Sequence, residues 1–303
     1  MRRVASLLLV CASACSQTGS PPAAVAIDAG DPPPADAATV AIGGDRPVKL
    51  VVPSRYDGKT PMPLVVLLHG YGASGAIQEI YFQLAPVAEQ RGFLYAIAEG
   101  TPDANGKKFW NASDACCNFG KIAVDDSAYL TTVVEQIQAA YAVDPKRIFF
   151  VGHSNGGFMS HRMACDHADK VAAIVSLAGA MPADVTKCKP SEPVSVLEIH
   201  GDADETVSYD GGVFYGAAYP SAKTTASDWV TLDGCSPAAD ASSPPLDLES
   251  TIAGAETLIS RYGGCKPGAG VELWTIQGGT HIPSLTADFR TATIDFLLAH
   301  PKP

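Results

Sequence analysis

A serine between two glycines, in the segment GHSNG from Gly152 to Gly156, is the part of the sequence best suited to chemistry. The apolar run RIFFVG comes before it and predicts a strand, and a helix is predicted to begin near Asn155. A G-x-S-x-G pentapeptide between a strand and a helix is typical of a nucleophile elbow, whose sharp turn exposes the serine hydroxyl. The alternative is a chance pentapeptide in a chain rich in Gly and Ser. We interpret Ser154 as a nucleophile.

A serine hydroxyl is a weak nucleophile, and it needs a base that is held in place by an acid. In chains with an elbow serine, the order along the sequence is serine, acid, histidine. His200 ends a predicted strand ahead of the best acid candidates, so its position does not fit this order. His300 lies in the last turn of the predicted terminal helix. His281 follows the predicted strand VELWTI through the segment QGGT and is the predicted base, the alternative being an ordinary loop histidine.

The acid is expected in the segment DADETVSYDGG, which follows the predicted strand VSVLEIHG. This segment offers four carboxylates: Asp202, Asp204, Glu205 and Asp210. Only one of them can accept the hydrogen bond of the histidine ring, so the others are expected to be solvated or to cap turns. Residue types and spacing leave the choice among the four open.

Two backbone N–H groups are needed to bind the negative oxygen that forms when a serine attacks a carbonyl. Asn155, directly after the nucleophile, is expected to supply one of them. The second is expected from the loop LLHGYGASG, where Tyr71 or Gly72 would present its amide. His69 in the same loop is predicted to brace the loop rather than to act as a second base.

Short apolar runs alternate with amphipathic segments from Val48 onward. Seven runs are predicted strands: VKLVVP, PLVVLLHG, FLYAIAEG, RIFFVG, AAIVSLAGA, VSVLEIHG and VELWTI. Helical patterns lie between them, among them one capped by Asp125 or Asp126 and a terminal one capped by Ser284 or Thr286. This alternation predicts an α/β fold with a mostly parallel central sheet flanked by helices. The candidate site residues fall at carboxyl ends of strands, where ligands of such sheets bind.

The chain has 303 residues, a formal net charge of -11 and 47% hydrophobic residues. An acidic chain without a cluster of Lys and Arg is a poor candidate for binding nucleic acid or an anionic membrane surface. No apolar run reaches the roughly twenty residues that a membrane-spanning helix needs. The apolar residues are therefore expected to form the core of one catalytic domain over residues 48–303, which we expect to be a monomer.

The N-terminal segment MRRVASLLLVCASAC predicts an export signal over residues 1–15. Ala12-Ser13-Ala14 fits an ordinary signal-peptidase site, but the same residues before Cys15 also resemble a bacterial lipobox, although Ala12 stands where Leu is usual. A lipid on Cys15 would leave six cysteines, an even number that suits three disulfides in an exported protein. We therefore favour attachment to the cell envelope over free secretion. The Pro-, Ala- and Asp-rich segment 16–47 predicts a disordered tether.

The six remaining cysteines are candidates for disulfide bonds. The neighbours Cys116 and Cys117 are expected to bond outward, to Cys165 and Cys188, rather than to each other. The last two, Cys235 and Cys265, are expected to pair with each other around the Pro-rich segment 236–250, which we expect to be a disordered insertion rather than a lid. The chain lacks the C-x-x-C and H-E-x-x-H spacings, so no metal site and no cofactor are predicted.

Six separated segments resemble a known family. In order they are LLHGYGASG, GTPDANGKKFWNASDACC, VDDSAYL, GHSNGGFMSHRMAC, HGDADETVSYDGG and QGGTHIPS, and they resemble the bacterial secreted esterases grouped as feruloyl esterase-like and polyhydroxybutyrate depolymerase-like. The resemblance runs from about Val48 to the C-terminus. It implies an α/β-hydrolase fold and a Ser-Asp-His triad, with Asp204 as the acid. The sequence departs from the family after His281, where Ile282 stands in place of the usual tryptophan, so the pocket wall is expected to differ there.

These observations together predict a carboxylic ester hydrolase that acts on feruloyl or acetyl esters of plant polysaccharide. The first alternative is a depolymerase of poly(3-hydroxybutyrate) or another polyester. An alternative of a different class is a binding protein on an inactive hydrolase scaffold, which the presence of Ser154, Asp204 and His281 disfavours. Trp110, in the loop after the third predicted strand, is expected either to contact an aromatic or sugar group of the substrate or to pack the loop. The expected partner is the ester substrate, with membrane attachment only through a lipid on Cys15.

Overall fold

The computed structural model describes residues 41–303. The predicted export signal, the lipidation candidate Cys15 and most of the predicted tether lie outside these residues. The tether was expected to extend to Pro47, but the folded domain begins before that residue. Ile42 is buried in the core, and Arg46 forms an ion pair with a buried carboxylate of the first long helix. An apolar side chain and an ion pair therefore fix the segment that precedes the first strand.

Nine strands form the main sheet, in the spatial order β1-β3-β2-β6-β7-β8-β13-β12-β11. The six strands from β3 to β13 in this order are parallel, whereas the edge pairs β1 with β3, β13 with β12, and β12 with β11 are antiparallel. Two further pairs, β4 with β5 and β9 with β10, form small hairpins. The strands are β1 Lys49–Val51, β2 Met62–Leu68, β3 Leu94–Ile97, β4 Thr101–Pro102, β5 Lys108–Phe109, β6 Val143–His153, β7 Ala173–Leu177, β8 Ser195–Gly201, β9 Gly212–Phe214, β10 Ala217–Tyr219, β11 Ala239–Asp240, β12 Thr257–Tyr262 and β13 Val271–Ile276.

Among residues 41–303, six α-helices accompany the sheet: α1 Gly75–Phe82, α2 Ala85–Arg91, α3 Asp126–Ala140, α4 Asn155–Asp166, α5 Ala222–Leu232 and α6 Ala287–Ala299. The starts of α3 and α6 follow capping chemistry, because the side chain of Asp125 accepts the amide of Ala128 and that of Thr286 accepts the amide of Phe289. Within the described part of the chain, no helix is both long enough and apolar enough to cross a membrane. The predicted mostly parallel sheet with flanking helices is confirmed.

The core has two layers, one on each face of the sheet. Along β2, Leu64 and Val66 belong to one layer, whereas Val65 and Leu67 belong to the other. This alternation follows from the two-residue period of a strand, and both faces are apolar because helices cover both. The central strands thus form a rigid base, and their carboxyl ends carry the loops described below.

The disulfide pairing expected for the first four cysteines is wrong. Cys116 and Cys117 are bonded to each other, and Cys165 at the end of α4 is bonded to Cys188, with their Cα atoms 4.7 Å apart. Cys188 directly follows the short 3₁₀ helix Val185–Lys187, which folding brings against α4. The order of the cysteines along the chain could not predict that Cys165 and Cys188 lie close together. The third bond joins Cys235 to Cys265.

The expectation of a disordered insertion at residues 236–250 is also wrong. The segment contains the edge strand β11, and its Leu248 is fully buried. The backbone amides of Leu248 and Glu249 both donate to Oε1 of Glu256. The side chain of Glu249 in turn accepts the amide of Thr251 at 2.8 Å. The segment is therefore held by buried polar contacts despite its polar and Pro-rich composition.

Candidate active site

Ser154 lies in the sharp turn between β6, which ends at His153, and α4, which begins at Asn155. Its backbone has φ 55° and ψ -120°, values that a residue with a side chain rarely adopts. Its amide donates to the carbonyl of Leu177 in the neighbouring strand β7 at 2.8 Å, which fixes the turn against the sheet. A strained, supported turn of this kind projects the serine hydroxyl away from the sheet.

The glycines on either side of Ser154 are required by close backbone packing. A Cβ on Gly156 would lie 2.1 Å from the carbonyl oxygen of Leu68, and one on Gly152 would lie 2.2 Å from the carbonyl oxygen of Gly156. Both distances are far below van der Waals contact, so a side chain would have to push apart the start of α4 and the end of β2. The elbow therefore has its shape because these two positions carry no side chain.

The structure brings Ser154, His281 and Asp204 together. Nε2 of His281 lies 2.9 Å from the Oγ of Ser154, and its Nδ1 lies 2.7 Å from Oδ2 of Asp204. Because an ionised carboxylate only accepts hydrogen bonds, Nδ1 carries the ring hydrogen and Nε2 is left to accept one from the serine. The imidazole side chain is 14% exposed, so a substrate can approach it.

Asp204 follows β8 and is the carboxylate of its loop that faces His281. Its Oδ1 accepts the amides of Thr206 and Val207, at 2.8 and 2.9 Å. Burial raises the pKa of Asp204, but its contacts with His200 and His281 and these amides outweigh burial and hold the pKa well below the usual range. The carboxylate thus stays ionised. Asp202, another candidate for the acid, instead accepts the amide of Gly278.

The residues next to the elbow whose backbone amides were expected to bind an oxyanion are Asn155 and Tyr71. Asn155 is the first residue of α4, so its amide has no partner within the helix. Tyr71 follows Gly70, where a Cβ would lie 3.5 Å from the Cβ of Ser154. Among residues 41–303, no acceptor lies against the Tyr71 amide. The expectation for Gly72 is wrong, because its amide donates to the carbonyl of Lys108 at 2.8 Å.

Trp110 is fully buried, so the expectation that it could contact a substrate is wrong. Its indole N–H donates to the carbonyl of His69 at 3.0 Å, and its ring stacks on Tyr129. Its backbone N–H and carbonyl both bond the side-chain amide of Asn155, at 2.7 and 2.9 Å. Trp110 therefore packs beneath the site and holds the first residue of α4 in place.

Two further histidines, whose importance the sequence did not reveal, contact the same cluster. His153 is buried, and its Nε2 lies 2.8 Å from the carbonyl oxygen of His281. His200, at the end of β8, has its Nε2 3.4 Å from Oδ2 of Asp204. Burial lowers the pKa of His200, but its contacts with Asp204 and Glu198 outweigh burial and raise it to about 9. The G-H-S and H-G-D segments were the only signals in the sequence that could have indicated these two residues.

Three aromatic rings form a row, defined by Tyr71, Phe119 and Tyr215, that leads away from the elbow. The ring centroids of Tyr71 and Phe119 lie 5.3 Å apart, and those of Phe119 and Tyr215 lie 4.6 Å apart. Tyr215, at the tip of the β9–β10 hairpin, is 88% exposed. A cleft of about 820 Å³ is lined by Asn118, Lys121, Arg162, Asp184 and Ala217 among others. Asn118 and Ala217 lie close along the chain to Phe119 and Tyr215, so the cleft is next to the aromatic row.

Metal chemistry has no candidate site in the described residues. Within residues 41–303, no group of three or more His, Cys, Asp or Glu side chains is arranged to hold a metal ion. The cluster of acids and histidines around Ser154 is instead held together by hydrogen bonds and ion pairs.

Comparison with known proteins agrees with this geometry. A family model described as phospholipase/carboxylesterase matches residues 54–241. Feruloyl esterase B of Piromyces equi is 30% identical over 244 residues, which are 78% of this chain and 42% of that longer protein. NocK of Nocardia uniformis subsp. tsuyamanensis is 30% identical over 295 residues, which are 90% of this chain and 83% of that protein.

Among solved structures, that of an acetyl xylan esterase from Aspergillus awamori superposes with a TM-score of 0.60 at 16% identity, covering 84% of this chain and 96% of that one. This similarity, together with the sheet order and the elbow, defines an α/β-hydrolase. The chain belongs to the phospholipase/carboxylesterase family, and its class is that of the carboxylic ester hydrolases.

Proposed function

We propose that Ser154, His281 and Asp204 hydrolyse a carboxylic ester through an acyl-enzyme. Ser154 Oγ attacks the carbonyl carbon while His281 Nε2 takes the hydroxyl proton. Collapse of the tetrahedral intermediate breaks the ester bond, and the same proton goes to the leaving alcohol. Water then attacks the acyl group, gives a proton to His281 and releases the acid and free Ser154. The observation that carries this proposal is the continuous chain of hydrogen bonds from Asp204 through His281 to Ser154.

The oxyanion is proposed to bind the amides of Asn155 and Tyr71. The Asn155 amide points from the N-terminus of α4, where the helix dipole also favours negative charge. The Tyr71 amide is supported by the close packing of Gly70 on Ser154 and by its lack of another acceptor within the described chain. Two such donors stabilise the charge that develops on the carbonyl oxygen, the largest single contribution in many acyl-transfer enzymes.

We propose feruloyl or acetyl esters of plant polysaccharide as the substrate class. The name of the Piromyces relative and that of the Aspergillus structure support this choice. The aromatic row offers faces on which a planar hydroxycinnamoyl ring or a sugar ring can stack. The neighbouring cleft, with its amide, carboxylate and cationic side chains, offers polar partners for the hydroxyl groups of a carbohydrate.

Steady-state hydrolysis of a panel of esters tests this proposal. The panel contains para-nitrophenyl acetate and octanoate, methyl ferulate, acetylated xylan and a film of poly(3-hydroxybutyrate), each assayed with the native protein and with Ser154→Ala. Release from methyl ferulate or acetylated xylan that disappears in the variant is the expected result. Clearing of the film without activity on the plant esters would replace the substrate class by a polyester. Equal rates for both proteins on every ester would overturn the enzymatic proposal.

We propose further that the protein is exported and attached to the cell envelope through a lipid on Cys15. The three disulfides among the described residues support an oxidising compartment. Metabolic labelling with palmitate, in cells that express the native chain or Cys15→Ala, tests the attachment. Label on the native chain alone is the expected result, and equal absence of label from both chains would leave export without an anchor.

A further inference from the structure

A buried cluster of polar side chains extends from Asp204 into the core through His200. It consists of His161, Glu198, His200 and Trp229, and all four side chains are buried. Nδ1 of His200 lies 3.2 Å from Oε1 of Glu198, and Nε2 of His161 lies 2.9 Å from Oε2 of the same carboxylate. The cluster thus continues the hydrogen-bonded chain of the active site into the core.

The partners of His200 fix its protonation. On one side its Nδ1 faces the Glu198 carboxylate, which only accepts. On the other side its Nε2 faces the carbonyl of Val207 at 2.8 Å and the carboxylate of Asp204 at 3.4 Å, which also only accept. Both ring nitrogens therefore need a hydrogen, and a ring with two N–H groups is a cation. The edge of this cation meets the ring of Tyr209, at 5.7 Å between centroids.

His161 lies on the far side of Glu198, and its partners keep its ring neutral. The indole N–H of Trp229 can only donate, and it lies 3.0 Å from Nδ1 of His161. Nδ1 is therefore an acceptor, and the hydrogen of a neutral His161 is on Nε2, where it bonds Glu198. Two carboxylates contact His200: Glu198 on the same strand and Asp204 on the loop that follows. The ring of Tyr209 packs against that of His200, and the neutral His153 lies nearby.

An isolated carboxylate or imidazolium in the core would be costly, because each loses its hydration. Here the His200 cation lies between Glu198 and Asp204, so neither carboxylate is left without a partner, and the two negative charges do not face each other directly. The same Oδ2 of Asp204 contacts both His200 and His281. A change of charge at His200 must therefore change the electrostatic environment of His281, the base that activates Ser154.

We propose that His200, charged and held by Glu198, is a positioning residue that fixes Asp204 against His281 and moderates the basicity of the active site. This inference rests on the proposed triad. The positive charge on His200 offsets part of the negative charge of Asp204, which makes His281 harder to protonate. Active enzyme, with Nε2 of His281 free to accept the serine proton, then persists to lower pH than it would beside a neutral residue.

The pH profile of kcat/KM for para-nitrophenyl acetate tests the proposal with two variants, Glu198→Gln and His200→Gln. In Glu198→Gln the new amide can still accept from His161 and can donate to Nδ1 of His200, which would make the ring neutral without a change of shape. The acidic limb of the profile is expected to move to higher pH by about one unit in both variants. His300→Gln is the control, because that ring bonds the carbonyl of Phe296 at the end of α6. Its profile is expected to match the native one.

Nitrogen NMR of the native protein provides a second readout that needs no variant to fold. At pH 7 the His200 ring is expected to show two protonated nitrogens, and His161 one. A neutral His200 ring at pH 7, or an acidic limb that stays in place in both folded variants, would overturn the proposal. These outcomes differ from failure of the triad itself, in which the native protein and Ser154→Ala would hydrolyse the ester at the same rate.

Discussion

Nε2 of His153, the residue before the nucleophile, lies 2.8 Å from the main-chain carbonyl of His281. Burial lowers the pKa of His153 to about 3, so its ring is neutral and its Nε2–H can donate to that carbonyl. The ring also packs against those of Tyr81 and His281, at 5.4 and 4.9 Å between centroids. The turn that carries the nucleophile therefore holds the separate loop that carries the base.

Replacement of this donor should lower turnover more than binding. His153→Phe keeps a ring of similar size against Tyr81 but loses the N–H, so the loop of His281 loses one of its fixed points. We expect kcat to fall about tenfold with little change in KM, since small displacements of a general base are costly. The measurement is steady-state kinetics on para-nitrophenyl acetate, with circular dichroism to confirm folding. Native kcat in a folded variant would show that this hydrogen bond does not position the base.

The elbow should tolerate no side chain at Gly156. Gly156→Ala places a Cβ against the carbonyl oxygen of Leu68, and relief of that overlap must separate α4 from β2. The free energy of unfolding is expected to fall by about 3 kcal/mol, at the upper end of overpacking effects. Urea denaturation measures it. The matched control is Gly263→Ala, where a Cβ would meet open space, and an equal loss in the two variants would refute the packing explanation.

The aromatic row should contribute to substrate affinity rather than to chemistry. Tyr215→Ala removes the exposed ring at the hairpin tip, and KM for methyl ferulate is expected to rise about two- to tenfold with kcat unchanged, as for the loss of one stacking contact. Val213→Ala on the same hairpin is the control, because that side chain is also exposed, at 63%, but offers no ring. If the two variants have the same KM, the substrate does not stack on Tyr215.

The stability of the protein should depend on pH through His200. Its pKa is about 9 in the folded protein against 6.5 for an ordinary histidine, so the stability it adds is complete below pH 6.5 and is lost as the pH rises through 9. The difference in unfolding free energy between native protein and His200→Gln should therefore shrink from pH 6 to pH 10. Urea titrations at pH 6, 8 and 10 measure this difference. A difference that stays constant would mean that His200 is not charged in the folded state.

The regular elements were predictable because their residue patterns follow local rules. All seven predicted strands are present. Six of them are the parallel strands, which need a continuous apolar run because both their faces are buried, and the seventh is the edge strand β1. The strand β12 was missed because it lies near the sheet edge, where Ser260 and Arg261 interrupt its apolar pattern. The order serine, acid, histidine also predicted that Ser154 and His281 meet a carboxylate of the loop after β8, which the family resemblance implied to be Asp204. The structure brings these three side chains together.

The remaining features depend on approaches between distant segments. The Gly72 amide is occupied by Lys108, from a hairpin 36 residues further on, and nothing near Gly72 in the sequence indicates it. Trp110 is buried because the loop that contains it folds under His69. The role of His200 likewise requires that Glu198, Asp204 and His281 meet in space, and the position of His200 ahead of the acid candidates gave no sign of this.

Covalent labelling of the native protein with a fluorophosphonate, followed by peptide mass spectrometry, tests the triad most directly. The reagent reacts only with an activated serine, because its phosphorus must be attacked by a hydroxyl whose proton is removed. One adduct is expected on Ser154, formed in parallel with loss of ester hydrolysis, and neither Ser154→Ala nor His281→Ala should be labelled. Labelling of another residue, or full hydrolysis by a protein whose Ser154 is completely modified, would contradict Ser154 as the nucleophile.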